Sequence, residues 1–316
     1  MNNISLTKLN KVNLYSFSFP DDSHSLTESI KKVGVLQPIL LTKSRDIICG
    51  TRRLNSCKKL KLTTIPSITI DKDLTPLEYF VMNLEDNLSA RKINIIEKSI
   101  ILNKLQKDFS VPLETIISKY LPALDIPANI KYFDKYVWIN NLAGNLKAEI
   151  AKKDISFDIL CAIKNWPKKS INSLFVNILD FNLGNSKTLQ IINLLNEISA
   201  RDKKPVRTPL HTIEWKTISN NLKIPIHQKG QQLREFLLSK RYPSHTTLRN
   251  KIKYSISKLK LPKGISIMPD IYTMENNFIN FKIECRQKKD LTKSAKTLSE
   301  TAVKKEMQEL LNLLKA

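Results

Sequence analysis

The sequence predicts an α+β chain made of a small α/β part, an all-helical part and a basic part in the order α-β-β-α. Three observations carry this. Up to about residue 93, short β-branched and aliphatic runs alternate with stretches of helical period. From Asn94 to about residue 200, apolar residues keep three-and-four spacing and prolines punctuate the chain. Beyond that, residues 201–316 hold 25 Lys and Arg against 10 Asp and Glu, so this segment carries +15 of the formal net charge of +23.

Each element follows from local chemistry. "LTESIKKV" (26–33) has the period of a short helix, with Thr27 as its cap and Gly34 as its stop. "VLQPILLT" (35–42) is a strand in which Pro38 permits only an edge or first-residue position. Residues 46–49 form a second strand ending at Gly50, and 51–61 a helix with Leu54, Cys57 and Leu60 on one face. "IPSITI" (65–70) is a third strand and 75–87 a helix. Helices then follow at 94–108, 112–120, 127–140, 144–152, 156–164, 168–179 and 186–199. "RDKKPVRTPL" (201–210) has the composition of a linker. A long basic helix at about 229–260 leads to the strands "ISIMPDIY" and "NFINFKIEC", joined by the turn "TMENN", and a helix at 290–314. The domain boundaries are accordingly 1–93, 94–200, a basic linker 201–228, and 229–316.

Composition narrows the function. Apolar content of 41% supports globular cores, and the charge balance calls for a polyanion, nucleic acid first and an acidic membrane surface second. Cys49, Cys57, Cys161 and Cys285 lack zinc or disulfide spacing, which fits a reducing cytosol. No apolar run reaches the roughly 20 residues that span a bilayer, and no secretory leader opens the chain, so a soluble, cytoplasmic protein is expected. His24, His211, His227 and His245 have no partner spacing for metal or catalysis.

The stretch "CGTRRLNSCKKL" (49–60) places Gly50, Thr51, Arg52 and Arg53 where a strand passes into a helix. A helix start offers unpaired N–H groups and a positive dipole end, and arginine forks match phosphate oxygens. The same four residues would equally make a solvated helix start whose arginines meet only water.

"GVLQPILL" (34–41), "CGTRRLNSCKKL" and "EDNLSARKINIIEKS" (85–99) resemble, in order and spacing, the three motifs of the ParB-type amino-terminal domain, whose fold is shared with sulfiredoxin. The segment "LETIISKYLPALDIPANIKYFDKYVWINNL" resembles the family's helix-turn-helix, and the tail is similar in element order to its dimerisation domain. The resemblance implies a CTP-binding clamp on double-stranded DNA, in chromosome or plasmid partition, homodimeric, nucleoid-associated and served by a Walker-type ATPase. Gly50, Thr51, Arg52 and Arg53 would hold the triphosphate. Gly34, Val35, Leu36, Gln37 and Pro38 would line the nucleoside side, and Asp86 and Asn87 would help bind phosphates and Mg²⁺.

Departures from the family pattern bear on turnover. Thr51 stands where Glu is frequent, and Ser89-Ala90 where the family has Gln-Arg, which leaves Arg91 as the neighbouring cation. These changes weaken hydrolysis more than binding and keep open a ParB-like regulator or adaptor without hydrolysis. The first 20 residues hold no arginine of the kind that stimulates the ATPase. A ParB-like nuclease would need clustered carboxylates, and only Asp46, Glu85 and Asp86 lie near the motifs. A sulfinic-acid reductase would need Cys after the glycine, where Thr51 stands.

For DNA, Asn129, Lys131 and Lys135 lie toward the start and one face of the 127–140 helix. An ordinary helical pair is the alternative, since Tyr132, Phe133, Tyr136 and Trp138 resemble core residues. In the tail, Arg249, Lys251, Lys253, Lys258 and Lys260 are expected to meet phosphates without sequence preference.

Overall fold

The computed structural model describes residues 2–10, 14–20, 24–268 and 279–315, in two compact units, Met1–Ile192 and Asn193–Ala316. In the first unit, four strands form one sheet in the order β1-β4-β2-β3: β1 (Asn2–Ser5), β2 (Ile39–Leu41), β3 (Ile47–Cys49) and β4 (Thr64–Thr69). β2 runs parallel to β4 with Ile39 opposite Ser67, and antiparallel to β3 with Leu40 opposite Cys49. Ile39, Leu41, Ile47 and Ile65 meet Ile30 of α1 (His24–Val33) and Leu54 and Cys57 of α2 (Thr51–Lys59) in one core.

Local chemistry sets most of the boundaries. Val35–Pro38 stay outside the second strand, which is shorter than the apolar run, because the chain turns at Gly34 (φ 75°). β1 has a polar sequence that does not announce a strand; it is held by pairing to β4 and by the Ser67 hydroxyl donating to the Asn2 carbonyl at 3.0 Å. α1 begins at His24, and Thr27 does not cap it: its hydroxyl donates to Ser56 Oγ on α2 at 2.9 Å. By contrast α3 (Pro76–Ala90) starts at a capping box of Thr75 and Glu78, and α4 (Ile95–Lys107) at one of Asn94 and Glu97.

The rest of this unit is helical. Residues 113–123 form α5, whose middle, Ile116–Tyr120, is π-helical; Pro122 has no N–H for an α-type bond, and the helix widens just before it. α6 (Ile130–Asn140), capped by Asn129, starts three residues later than its sequence period implies, since residues 124–129 form the turn. α7 (Gly144–Lys152), α8 (Phe157–Ile163) and α9 (residues 168–180) follow, and α10 (Asn185–Asp202) begins in this unit and ends in the second. Leu105, Leu121, Ile139, Ile150, Leu160 and Phe175 are fully buried.

The second unit corrects three expectations. Residues 201–228 are not a bare linker: they hold a 3₁₀ turn (Thr208–His211) and α11 (Ile213–Ser219), pinned because Trp215 is buried with its ring 6.2 Å from Phe236. The long basic helix is two helices, α12 (Ile226–Arg241) and α13 (Pro243–Lys258). Pro243 bars its predecessor from helical geometry, and Tyr242 adopts φ −126°, ψ 70°. The last helix is likewise divided into α14 (Lys288–Ala302) and α15 (Lys305–Lys315), which turns Met307 and Leu310 into a core with Ile252, Leu259 and Ile267. β5 (Ile265–Met268) pairs antiparallel with β6 (Asn280–Ile283), Ile265 opposite Ile283. The "TMENN" turn lies outside the described residues.

Candidate functional site

Gly50 links β3 to α2 in the left-handed region, φ 102° and ψ 20°. A Cβ there would lie 2.7 Å from Ile39 Cγ2 and 3.3 Å from Arg53 Cζ, so both the turn and its neighbours require glycine. The turn aims the start of α2, with its N–H groups and positive dipole end, out of the sheet edge. Arg53 reaches back from that first turn: its guanidinium donates to the carbonyl oxygens of Gln37 at 2.7 Å and Pro38 at 2.5 Å. Burial lowers the Arg53 pKa, while Cys49 and Asp86 act the other way.

Arg52 points elsewhere. Its guanidinium donates to Glu97 Oε1 at 3.1 Å, and Glu97 is fully buried. The same carboxylate accepts both forks of Arg91, at 2.7 and 2.9 Å, and the backbone N–H groups of Phe19 and Asn94, each at 3.1 Å. Arg91 Nε in turn donates to Asn87 Oδ1 at 3.0 Å, while Asn87 Nδ2 donates to the Asn83 carbonyl at 2.9 Å. Thus Arg53 ties the "GTRR" turn to "GVLQP", and Arg52 ties it through Glu97 and Arg91 to "EDNLSAR". Three segments distant in sequence meet around two adjacent arginines.

Glu97 is the residue that sequence reasoning missed. Its signal was present in the Asn94-x-x-Glu97 capping-box spacing, but a cap does not disclose that the same carboxylate gathers two arginines.

The other expected site residues are distributed around this junction. Gly34, Leu36 and Gln37 are exposed, Val35 and Pro38 half-buried, and Thr51 is buried. Asp86 is exposed, whereas the Asn87 oxygen is engaged by Arg91. Ser89 donates to the Asp86 carbonyl at 2.9 Å, within its own helix. Cys49 is buried, and burial pushes its thiol up to about 12, so no thiolate nucleophile exists there at neutral pH. Asp46 accepts from Asn10, Ser44 and Thr42, which makes it a turn-stabilising carboxylate.

The residues expected at DNA differ in how free they are. Asn129 accepts from the Lys131 N–H at 2.8 Å as the cap of α6, so its oxygen is engaged. Lys131 is exposed. Lys135 lies over the stacked rings of Tyr132 and Phe157, at 5.3 and 5.5 Å. On α13, Arg249 is half-buried; Lys251, Lys253 and Lys258 are exposed, as is Lys260 beyond its end. Lys258 rests 4.6 Å from the centre of the exposed Tyr254 ring.

Residues 3–88 match the ParB N-terminal domain. The chain is 32% identical over 119 residues to the chromosome-partitioning protein ParB of Myxococcus xanthus, covering 34% of this chain and 40% of that protein. It is 25% identical over 169 residues to the probable ParB of Rickettsia bellii, covering 54% and 56%, and 28% identical over 135 residues to that of Borreliella burgdorferi, covering 42% and 49%. The chain spans about half the length of the curated relatives it matches. Among solved structures, the C-terminally truncated ParB of Caulobacter crescentus complexed to the centromeric parS site aligns with a TM-score of 0.34 and 15% identity, over 61% of this chain and 99% of that one. The same protein complexed with CTP-gamma-S aligns with a TM-score of 0.25 and 17% identity, over 55% and 98%. Among the described residues, no helix is long and apolar enough to cross a membrane.

Proposed function

We propose that this chain, whose residues 3–88 carry the ParB N-terminal domain, is a DNA-binding protein of chromosome or plasmid partition that takes CTP at the junction of its three motifs. The observation that carries the reading is the meeting of "GVLQP", "GTRR" and "EDNLSAR" through Arg53 and the Arg52–Glu97–Arg91 bridge. The residues fit a triphosphate: a glycine turn that excludes any Cβ, a helix start, and guanidinium groups held in place beforehand. They fit Mg²⁺ in part. Asp86 offers an exposed carboxylate suited to that ion, and Asn87 would have to release Arg91 to add its oxygen. Bound Mg²⁺ would neutralise phosphate charge.

Binding is better supported than turnover. Thr51 is buried, Ser89 is engaged in its own helix and Ala90 is apolar, so none of the three orients water. This favours, as the second reading, a DNA-binding regulator or adaptor without hydrolysis. A nuclease is not favoured, because Asp46 is committed to its turn. Residues 113–140 act in this proposal as a helix-turn-helix, with Lys131 toward the bases, and the α-β-β-α tail as a dimerising part on nucleoid DNA. Met307 and Leu310 are buried in their own unit, so a homodimer would use the outward residues of α14 and α15, and a Walker-type ATPase partner rests on the family likeness alone.

Calorimetry on the full chain with Mg²⁺ is expected to show heat with CTP exceeding that with ATP, GTP or UTP. Arg52→Ala is expected to weaken binding by about 1.5–3 kcal/mol, the worth of a charge-assisted contact. Equal heats with all four nucleotides would sink the CTP assignment.

The tail and α6 should also separate in a salt titration. Neutralising Lys251, Lys253, Lys258 and Lys260 is expected to weaken every duplex alike and to flatten the slope of log affinity against log salt by up to about 0.9 per lost phosphate contact. Lys131→Ala should instead reduce preference for a selected site. An unchanged slope in the quadruple variant would remove the tail from the DNA interface.

A further inference from the structure

A cleft of about 370 Å³ opens in the first unit between the end of α3, the first turns of α4 and the turn that precedes α6. Its apolar walls include Leu88, Ile93 and Leu124, and its polar side chains are Ser89, Arg91, Lys92, Lys98 and Asp125. None of Gly50, Thr51, Arg52 or Arg53 lines it. We propose that this cleft, which borders the nucleotide junction at Arg91 but lies away from its glycine turn, is a second anion site, which holds a phosphate oxyanion of the duplex DNA backbone through Lys98 and Lys92.

Four features converge on an anion. Lys98 is half-buried, and among the described residues its ammonium makes no hydrogen bond or close ion pair, although water alone would suit it better outside. It stands near the start of α4, where the dipole end is already positive. Lys92 adds like charge, and the opposing carboxylate in the wall is Asp125. Arg91 contributes positive charge at the rim, although Glu97 holds both of its forks. Burial accordingly lowers the Lys98 pKa, with Asp125 opposing and Lys92 reinforcing the shift. A bound oxyanion would accept from Lys98, screen it from Lys92 and outweigh the single Asp125.

The source is chosen by position, and the choice rests on the proposed DNA-reading role of the α5–α6 pair. One wall is the turn itself, Leu124 and Asp125, and the exposed stretch Ala128–Lys131 follows it directly. A backbone lying across that turn can drop one phosphodiester into an open cleft. The CTP triphosphate, by contrast, would lie at the start of α2.

The test uses the full chain and the double variant Lys92→Met with Lys98→Met, which keeps both apolar stems. Duplex affinity is expected to fall about tenfold, the equivalent of one charge-assisted contact, with a salt slope shallower by about 0.9 and CTP calorimetry unchanged. Lys98→Arg should retain most of the affinity. Unchanged duplex affinity and slope would overturn the proposal, and so would a loss confined to CTP, which would assign the cleft to the nucleotide. If the parent chain binds no duplex, the DNA reading of the whole protein fails separately. Inorganic phosphate titrated onto chain with ¹³C-methylated lysines then decides the site: a saturable shift of the Lys98 signal, identified by its loss in the variant, supports the oxyanion pocket, and a stationary signal refutes it.

Discussion

Replacing Glu97 by alanine is expected to destabilise the first unit by about 3–5 kcal/mol, the cost of removing one partner from a buried ion pair. Glu97 is fully buried and serves two guanidinium groups and two backbone N–H groups at once. Truncation removes the carboxylate that Arg52 and Arg91 share, and leaves the Phe19 and Asn94 N–H groups without this acceptor. Glu97→Gln keeps the shape and one acceptor oxygen, so a smaller loss is expected. Urea denaturation of the full chain, followed by far-UV circular dichroism, measures both. A transition for Glu97→Ala that coincides with the parent would show that the carboxylate is not a structural hub. Because Arg52 loses its anchor in the same variant, CTP binding should weaken even under conditions where the chain remains folded.

Gly50→Ala is expected to cost about 2–5 kcal/mol, combining left-handed strain with overpacking. The new Cβ would meet the Ile39 side chain at 2.7 Å, and Ile39 is fully buried in the centre of the sheet. It would also press on the Arg53 guanidinium at 3.3 Å, the group that holds the Gln37 and Pro38 carbonyls. Nucleotide binding should therefore be lost in Gly50→Ala. A folded Gly50→Ala chain with parental nucleotide affinity would count against the turn as a phosphate cradle.

Some of this was legible before any fold was known. The α+β class, the short strand ending at Gly50 and the helix beginning near Thr75 follow from period, turn chemistry and punctuation, which act over a few residues. The likeness to the ParB amino-terminal domain was equally carried by local motifs, and the match of residues 3–88 to that domain agrees with it. The boundaries that failed did so where a distant partner outweighed local preference. Asn2–Ser5 is a strand because β4 supplies its hydrogen bonds, and residues 208–219 are ordered because Trp215 finds Phe236. The break at Tyr242, however, could have been read from Pro243 alone.

By itself, then, the sequence determined which short segments become strands, helices and turns, and where positive charge accumulates, since both depend on neighbouring residues and on composition. Only the tertiary structure decided which charges meet. Arg52 and Arg53 are adjacent in the chain and look interchangeable, yet a helix sends successive side chains about 100° apart, so one reaches the backbone of "GVLQP" and the other a carboxylate 45 residues away. That Arg91 meets Glu97, that the Asn87 oxygen is engaged by Arg91, and that Lys98 lies half-buried beside Asp125 were all decided by packing. Electrostatic partners are chosen across space, and no local pattern records that distance.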